Sequence, residues 1–265
     1  MATQEQKKLA IENLKKEHGS NLLALYEMGS TLHGLDLETS DYDLLGILKT
    51  QKRDLLKGTQ HSSQTISEDG ILDVRLFDEY KLLNMIRKNS VKIISVFIKD
   101  PVYLSDEWAP AANYIKDNFL EILFSNPVSA IGGLFGEYRS FTKKYDDNEF
   151  FVGAPFAPKP LLAGILVRTL ARELVKMKSA DETTFEKIKE AIIPTERASL
   201  LFKTIRSMTE LKNESDVAIF SEEQRRLHAY LEEIEEIKGA VAEYVTWEGT
   251  NEHNEALIEL LLPPV

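Results

Sequence analysis

The 265 residues contain no cysteine, which excludes disulfides, thiolate nucleophiles and thiolate-held zinc or iron–sulfur clusters. No apolar run reaches the roughly 18–20 residues needed to cross a bilayer. The opening MATQEQKKLAIENLKKEHGS has neither the apolar core nor the small-residue cleavage site of a secretory leader. A soluble, cytoplasmic protein with no membrane partner is expected. Also missing are a Gly-rich Lys-Ser/Thr phosphate loop, GxGxxG after a strand, GxSxG and HExxH, so the commonest nucleotide, hydrolase and zinc-protease signatures are absent. Internal repeats, heptad arrays and low-complexity tracts are lacking as well.

What is present is acid. The chain carries 43 Asp and Glu against 32 Lys and Arg, a net charge of −11. From Asp181 onward there are 19 acidic and 9 basic residues, so the first part is nearly neutral. That tail repels phosphate backbones at long range and argues against extended nonspecific DNA binding. Its simplest reading is a solvated helix surface. With 43% hydrophobic residues, a packed core is affordable and disorder is not expected.

Periodicity divides the chain. Leu9, Ile11 and Leu14 among Lys and Glu suit a short helix over 4–17. Asn21–Met28 and Leu44–Leu48 read as buried strands, and Ile71–Phe77 as a third. The polar stretch Lys57–Asp69 between them reads as a loop or an edge hairpin. Asp78 looks like the N-cap of a helix through Ile86, broken at Asn89-Ser90 before the apolar run Val91–Ile98. Beyond Asp106 the segments 106–120, 126–145, 159–177, 183–192, 195–211, 221–245 and 252–262 all suit helices, with Ser221 and Gln224 forming a capping box. The expected fold class is α+β: a small mixed α/β domain over 1–105, then an all-helical domain over 106–265.

Chemistry concentrates in Met28-Gly29-Ser30-Thr31-Leu32-His33-Gly34 and Ser40-Asp41-Tyr42-Asp43-Leu44. An apolar strand runs into Gly29-Ser30, where glycine permits close backbone approach and serine adds a hydroxyl, a bend suited to phosphate oxygens. Asp41 and Asp43, one residue apart at a strand start, share a face while Tyr42 points to the other. Asp73 interrupts the apolar run of a neighbouring strand. Carboxylates held this close repel unless a cation sits among them. With oxygen ligands and no cysteine, the natural cation is Mg²⁺, and three acids suffice for two ions.

Gly29-Ser30, Asp41-Tyr42-Asp43 and the later Asp73 together resemble the nucleotidyltransferase superfamily related to DNA polymerase beta. Within it, GSTLHGL and SDYDLLGI are similar to the predicted nucleotidyltransferases of bacteria and their phages. The resemblance is tight over 27–47, fair over 71–98 and faint through 136–177, where Tyr138-Arg139, Lys159 and Ala171–Leu174 echo the helical part. It implies Mg²⁺-dependent transfer of a nucleoside monophosphate from an NTP such as ATP to an acceptor hydroxyl, releasing pyrophosphate. Gly29 and Ser30 would contact the β- and γ-phosphates. Asp41 and Asp43 would hold both Mg²⁺ ions, for which Mn²⁺ can substitute. Asp73 would bind the catalytic ion and help deprotonate the acceptor. Lys159, with Arg168 or Lys143, would touch phosphate or base. The acceptor is a small molecule, a protein side chain or an RNA end.

The chain departs from that pattern at Thr31, where relatives often carry Arg, and at Ala163 and Leu166, where they often carry His and Arg. A second reading is therefore a weakened nucleotide-binding or partner-binding module that keeps the fold. Taken alone, Asp-x-Asp is common, and the bland reading of Asp73 is a solvent-facing strand residue paired to Arg75, with Asp69 and Asp78 as rival third acids; Asp73 is preferred because a strand position is more rigid than a loop or a cap. His33 is a packing or surface residue on its bland reading. Lys143-Lys144, Arg225-Arg226 and the Glu pairs 232–233 and 235–236 are solvated helix faces. Asp36-x-Glu38-x-Ser40 lacks the sixth-position glycine and the twelfth-position Glu of a calcium loop.

Overall fold

A computed structural model describes residues 3–34, 36, 41–66, 72–126, 129–130, 132–133, 182–193 and 250–262. The chain divides into two compact units, one of residues 1–126 with 247–265 and the other of residues 127–246. The expected helices 159–177, 195–211 and 221–245 lie outside the described residues.

The first unit opens with helix α1 (Gln4–His18), started by a capping box in which Thr3 and Gln6 exchange hydrogen bonds. Strand β1 (Leu22–Glu27) leads into the single-turn helix α2 (Gly29–Leu32), and strand β2 (Tyr42–Leu48) returns antiparallel to β1. Helix α3 (Lys52–Lys57) and strand β3 (Ser62–Ile66) follow, then strand β4 (Leu72–Asp78) and helix α4 (Glu79–Arg87). Helix α5 (Val91–Ile94) runs on into a 3₁₀ turn over Ser95–Ile98. A two-residue strand β5 (Tyr103–Leu104) and helices α6 (Ala109–Asp117) and α7 (Phe119–Phe124) complete that stretch.

The sheet has the order β3-β4-β2-β1-β5, with β2 and β4 parallel and every other pair antiparallel. Three strands are legible by apolar pattern; five are observed. β3 is the polar run Ser62-Ser63-Gln64-Thr65-Ile66, paired with β4 along its length, and β5 is too short to show a period. The stretch expected as one helix over 106–120 is split: a turn precedes α6, and α7 starts after a break at Asn118.

Each face of the sheet is covered. Tyr42, Leu44, Val74 and Leu76 join Leu22, Leu25 and Leu14 of α1 in one buried cluster. Gly46 is required here, because a Cβ would lie 2.5 Å from a Leu76 methyl and 3.2 Å from one of Leu25. On the other face Leu45 and Ile47 are buried, as are Leu82, Leu83 and Ile86 of α4 and Val96 and Phe97 of the 3₁₀ turn. Tyr26 meets Phe97 edge-on at 4.8 Å and accepts a hydrogen bond from the buried Trp108 indole at 3.2 Å. Asn89, buried with φ 49°, donates its amide to the Ile122 and Leu123 carbonyls at the end of α7. The helix Thr250–Leu261 packs in the same unit, its His253 hydrogen-bonded to the Tyr114 hydroxyl at 2.9 Å. In the second unit, the helix Glu182–Ile192 buries Ile188 and Ile192. Among the described residues no helix is long and apolar enough to cross a membrane.

Where β2 and β4 end, acids anchor the following helix. Asp78 accepts from the Lys81 and His61 amides at 2.6 and 2.9 Å. Glu79, 8% exposed, accepts from the Thr50 amide at 2.8 Å, while the Thr50 hydroxyl accepts from the Tyr80 amide at 3.0 Å. Burial pushes the Glu79 carboxyl up to about 7, with Glu107 and Asp78 adding to the rise against the Thr50 amide and Lys49. A carboxyl raised on folding binds its proton more tightly in the native state, so its favourable contribution is present below about pH 4.5 and is lost as pH rises through about 7. Glu79→Gln is therefore expected to be more stable than the parent by about 2 kcal/mol at pH 8, with the gain shrinking toward pH 4.5. Urea unfolding at the two pH values measures this, and a pH-independent difference would contradict it.

Candidate active site

The candidate site lies at the end of the sheet where β1 finishes and β2 and β4 begin. Met28 is extended, its amide hydrogen-bonded to the Asp43 carbonyl at 3.0 Å, which ties the exit of β1 to the entrance of β2. Gly29 then turns left-handed (φ 59°), and a Cβ on it would collide with the Asp43 carboxylate. Glycine is thus demanded twice, by conformation and by the acid pressed against its Cα. Ser30 follows, and its hydroxyl oxygen is buried with no hydrogen-bond partner, the single such side-chain atom among the described residues. A buried hydroxyl left unmatched costs on the order of 1–3 kcal/mol, so a water, an ion or a ligand oxygen is needed to complete it.

Asp43 and Asp73 are direct partners in the parallel pairing of β2 and β4. Register partners share a sheet face, so the two carboxylates stand side by side, opposite to the face that buries Tyr42 and Leu44. Both residues are half-buried. Asp41 immediately precedes β2 and is also half-buried. The Asp73 carboxylate accepts from the Gln64 amide through both oxygens, at 2.9 and 2.8 Å. Its described partner is thus on β3, whereas the bland sequence reading paired it with Arg75. Of the rival third acids, Asp78 is at the other end of β4 as a helix cap, and Asp69 lies outside the described residues.

Tyr42 locks the Asp-Tyr-Asp segment in place. Its ring is buried under α1, with the Lys7 ammonium 4.5 Å from the ring centroid, and its hydroxyl donates to Glu27 at 3.4 Å. Burial, then the Glu27 charge and that hydrogen bond, hold the phenol above its ordinary range. Glu27 in turn faces Lys99 at 3.7 Å, and Lys99 donates to the Thr31 carbonyl at 3.0 Å. Glu27, Gln64 and Lys99 are side chains that the sequence did not single out. Gln64 was obscured because β3 has no apolar alternation, and Lys99 reaches the site only through the return of β5.

The donor set of Asp41, Asp43 and Asp73 is all carboxylate oxygen, the chemistry of a hard cation such as Mg²⁺. The bare Gly29 Cα against Asp43 and the unmatched Ser30 hydroxyl fit a metal-bound polyphosphate beside those acids. Among the described residues no three His, Asp or Glu side chains gather as a metal-holding group. Lys159, Arg168 and Lys143 lie outside the described residues. Four basic residues, Lys49, Lys52, Arg53 and Lys57, follow the far end of β2 from Asp43, and Lys49 is paired with Glu107.

Residues 2–118 match a family model described as RlaP, RNA repair pathway DNA polymerase beta family. Over that stretch the chain is similar to that family, in agreement with the resemblance carried by Gly29-Ser30 and Asp41-Tyr42-Asp43. A crystal structure of a nucleotidyltransferase-like protein from Exiguobacterium sibiricum 255-15 is 10% identical, aligned over 96% of this chain and 89% of that one with a TM-score of 0.35. No curated protein matches the chain.

Two left-handed glycines separate backbone strain from the carboxylate contact. Gly34 (φ 65°) has open space where its Cβ would be, whereas Gly29 has Asp43. Gly34→Ala is expected to cost about 1 kcal/mol, the left-handed penalty alone. Gly29→Ala should cost at least about 2 kcal/mol, since strain and overpacking add. Equal losses in urea unfolding would mean that Asp43 does not press on Gly29 in solution.

Proposed function

We propose that the chain transfers a nucleoside monophosphate from an NTP to an acceptor hydroxyl and releases pyrophosphate, with Mg²⁺ held by Asp41, Asp43 and Asp73. The observation that carries this reading is the unmatched Ser30 hydroxyl beside a glycine pressed on Asp43, itself in register with Asp73. A triphosphate oxygen would complete the serine, and the bare glycine would let the phosphate chain approach the backbone. Bound Mg²⁺ supplies charge neutralisation of the triphosphate and lowers the cost of ionising the acceptor hydroxyl.

The chain's own groups do the rest. The β1–α2 turn orients the polyphosphate, and Asp73, released from Gln64, receives or relays the acceptor proton. Positioning and electrostatics account for most of phosphoryl-type transfer, so no covalent nucleophile is required. Among the three acceptor classes we favour an RNA end, because the matching family model is described by an RNA repair pathway. ATP is the first nucleotide to test, and a cytoplasmic setting suits both.

A second reading has its own support. The Asp73 carboxylate is doubly engaged by Gln64, and no described trio of acids is gathered; both favour a nucleotide-binding module without turnover. One experiment separates the two. Protein incubated with each α-labelled NTP, Mg²⁺ or Mn²⁺, and RNA or cell extract should label an acceptor. Asp41→Asn/Asp43→Asn should reduce labelling by at least about 10³-fold, since it removes two of the three carboxylates assigned to the metal. Equal labelling by the variant would overturn the assignment. Calorimetric binding of an NTP without any labelled product would favour the second reading.

A further inference from the structure

We infer that Lys99 is a positioning residue for the Gly29–Ser30 turn, fixing it so that the buried Ser30 hydroxyl is left unmatched by the fold's own groups for a ligand oxygen to complete. The inference rests on the nucleotide reading of that turn. Glu27 is the last residue of β1 and Thr31 the third of α2, so they flank the bend at Met28 and Gly29. One ammonium bridges them: Lys99 Nζ lies 3.0 Å from the Thr31 carbonyl and 3.7 Å from a Glu27 carboxylate oxygen. The Thr31 carbonyl also accepts from the Gly34 amide at 3.2 Å, so the same oxygen closes α2 from inside and is held from outside.

The anchorage of Lys99 is independent of the turn. It stands between the 3₁₀ turn, whose Phe97 packs on Tyr26, and β5, beside which the Val102 amide bonds the Leu25 carbonyl at 2.9 Å. Its side chain is 31% exposed, and Glu27 is 23% exposed, so the bridge is partly withdrawn from water. The second Glu27 oxygen accepts the Tyr42 hydroxyl at 3.4 Å. Glu27 at the end of β1 and Tyr42 at the start of β2 therefore meet Lys99 in one cluster that borders α2. An ammonium has three donors and no acceptor, so it organises oxygens around itself. Methionine in its place keeps the stem and releases the turn.

The test reads binding of a fluorescent trinitrophenyl-ATP with Mg²⁺, in a double-mutant cycle on the full chain. The wild type binds, Lys99→Met weakens binding about tenfold, and Lys99→Arg recovers most of it, in line with a charge-assisted hydrogen bond. Ser30→Ala weakens binding too, and the double variant is no worse than the poorer single, because Lys99 acts through Ser30. A merely structural lysine would give losses that multiply. Unchanged binding by Lys99→Met, or multiplying losses, overturns the inference and leaves the nucleotide reading standing. No binding by the wild type overturns both. Should Lys99→Met fail to fold, Glu27→Gln enters the same cycle, with coupling to Ser30→Ala expected and its absence counting against.

Discussion

The parallel, in-register pairing of β2 with β4 is the constraint on which the rest of this unit depends. It sets Asp43 beside Asp73 and, by the same register, places Leu44 beside Val74 and Gly46 beside Leu76. One pairing thus builds the apolar layer under α1 and the acidic pair on the opposite face. Because side chains alternate along a strand, the buried cluster fixes the register that the acids need. Two adjacent carboxylates are unfavourable by themselves. The hydrophobic layer beneath them is what holds them there.

Acids at the two ends of these strands meet different fates. At the far end Asp78 and Glu79 are matched by backbone amides of Lys81, His61 and Thr50, and they tie helix to sheet. At the near end the acids face a glycine, an unmatched hydroxyl and one glutamine amide. Composition does not distinguish the two sets. Their surroundings do: the far acids accept from backbone amides, whereas Asp73 accepts from a side-chain amide and Asp43 lies against the Gly29 Cα.

Much of this was readable in one dimension. Apolar runs marked β1, β2 and β4, and the spacing of Gly29-Ser30 to Asp41-Tyr42-Asp43 pointed to the end of the sheet where the acids stand. Asp78 was legible as a cap because local backbone chemistry dictates it. The unread parts are those that depend on pairing across distance. Ser62–Ile66 lacks apolar alternation, so it was legible only as a loop or an edge hairpin, and the antiparallel pairing with β4 decides for the hairpin. Lys99 has no local signature, being 68 residues from the carbonyl it holds. The break at Asn118 is likewise invisible to a helical period that continues across it.

Gln64 belongs to the outermost strand of the sheet, and its amide is what occupies the Asp73 carboxylate. Strand geometry makes that grip binary. A slip of β3 by one residue turns Gln64 to the opposite side and brings Ser63 round instead, too short to span both carboxylate oxygens. The rim of the sheet is thereby tied to Asp73: the register of an edge strand decides whether that carboxylate keeps its amide.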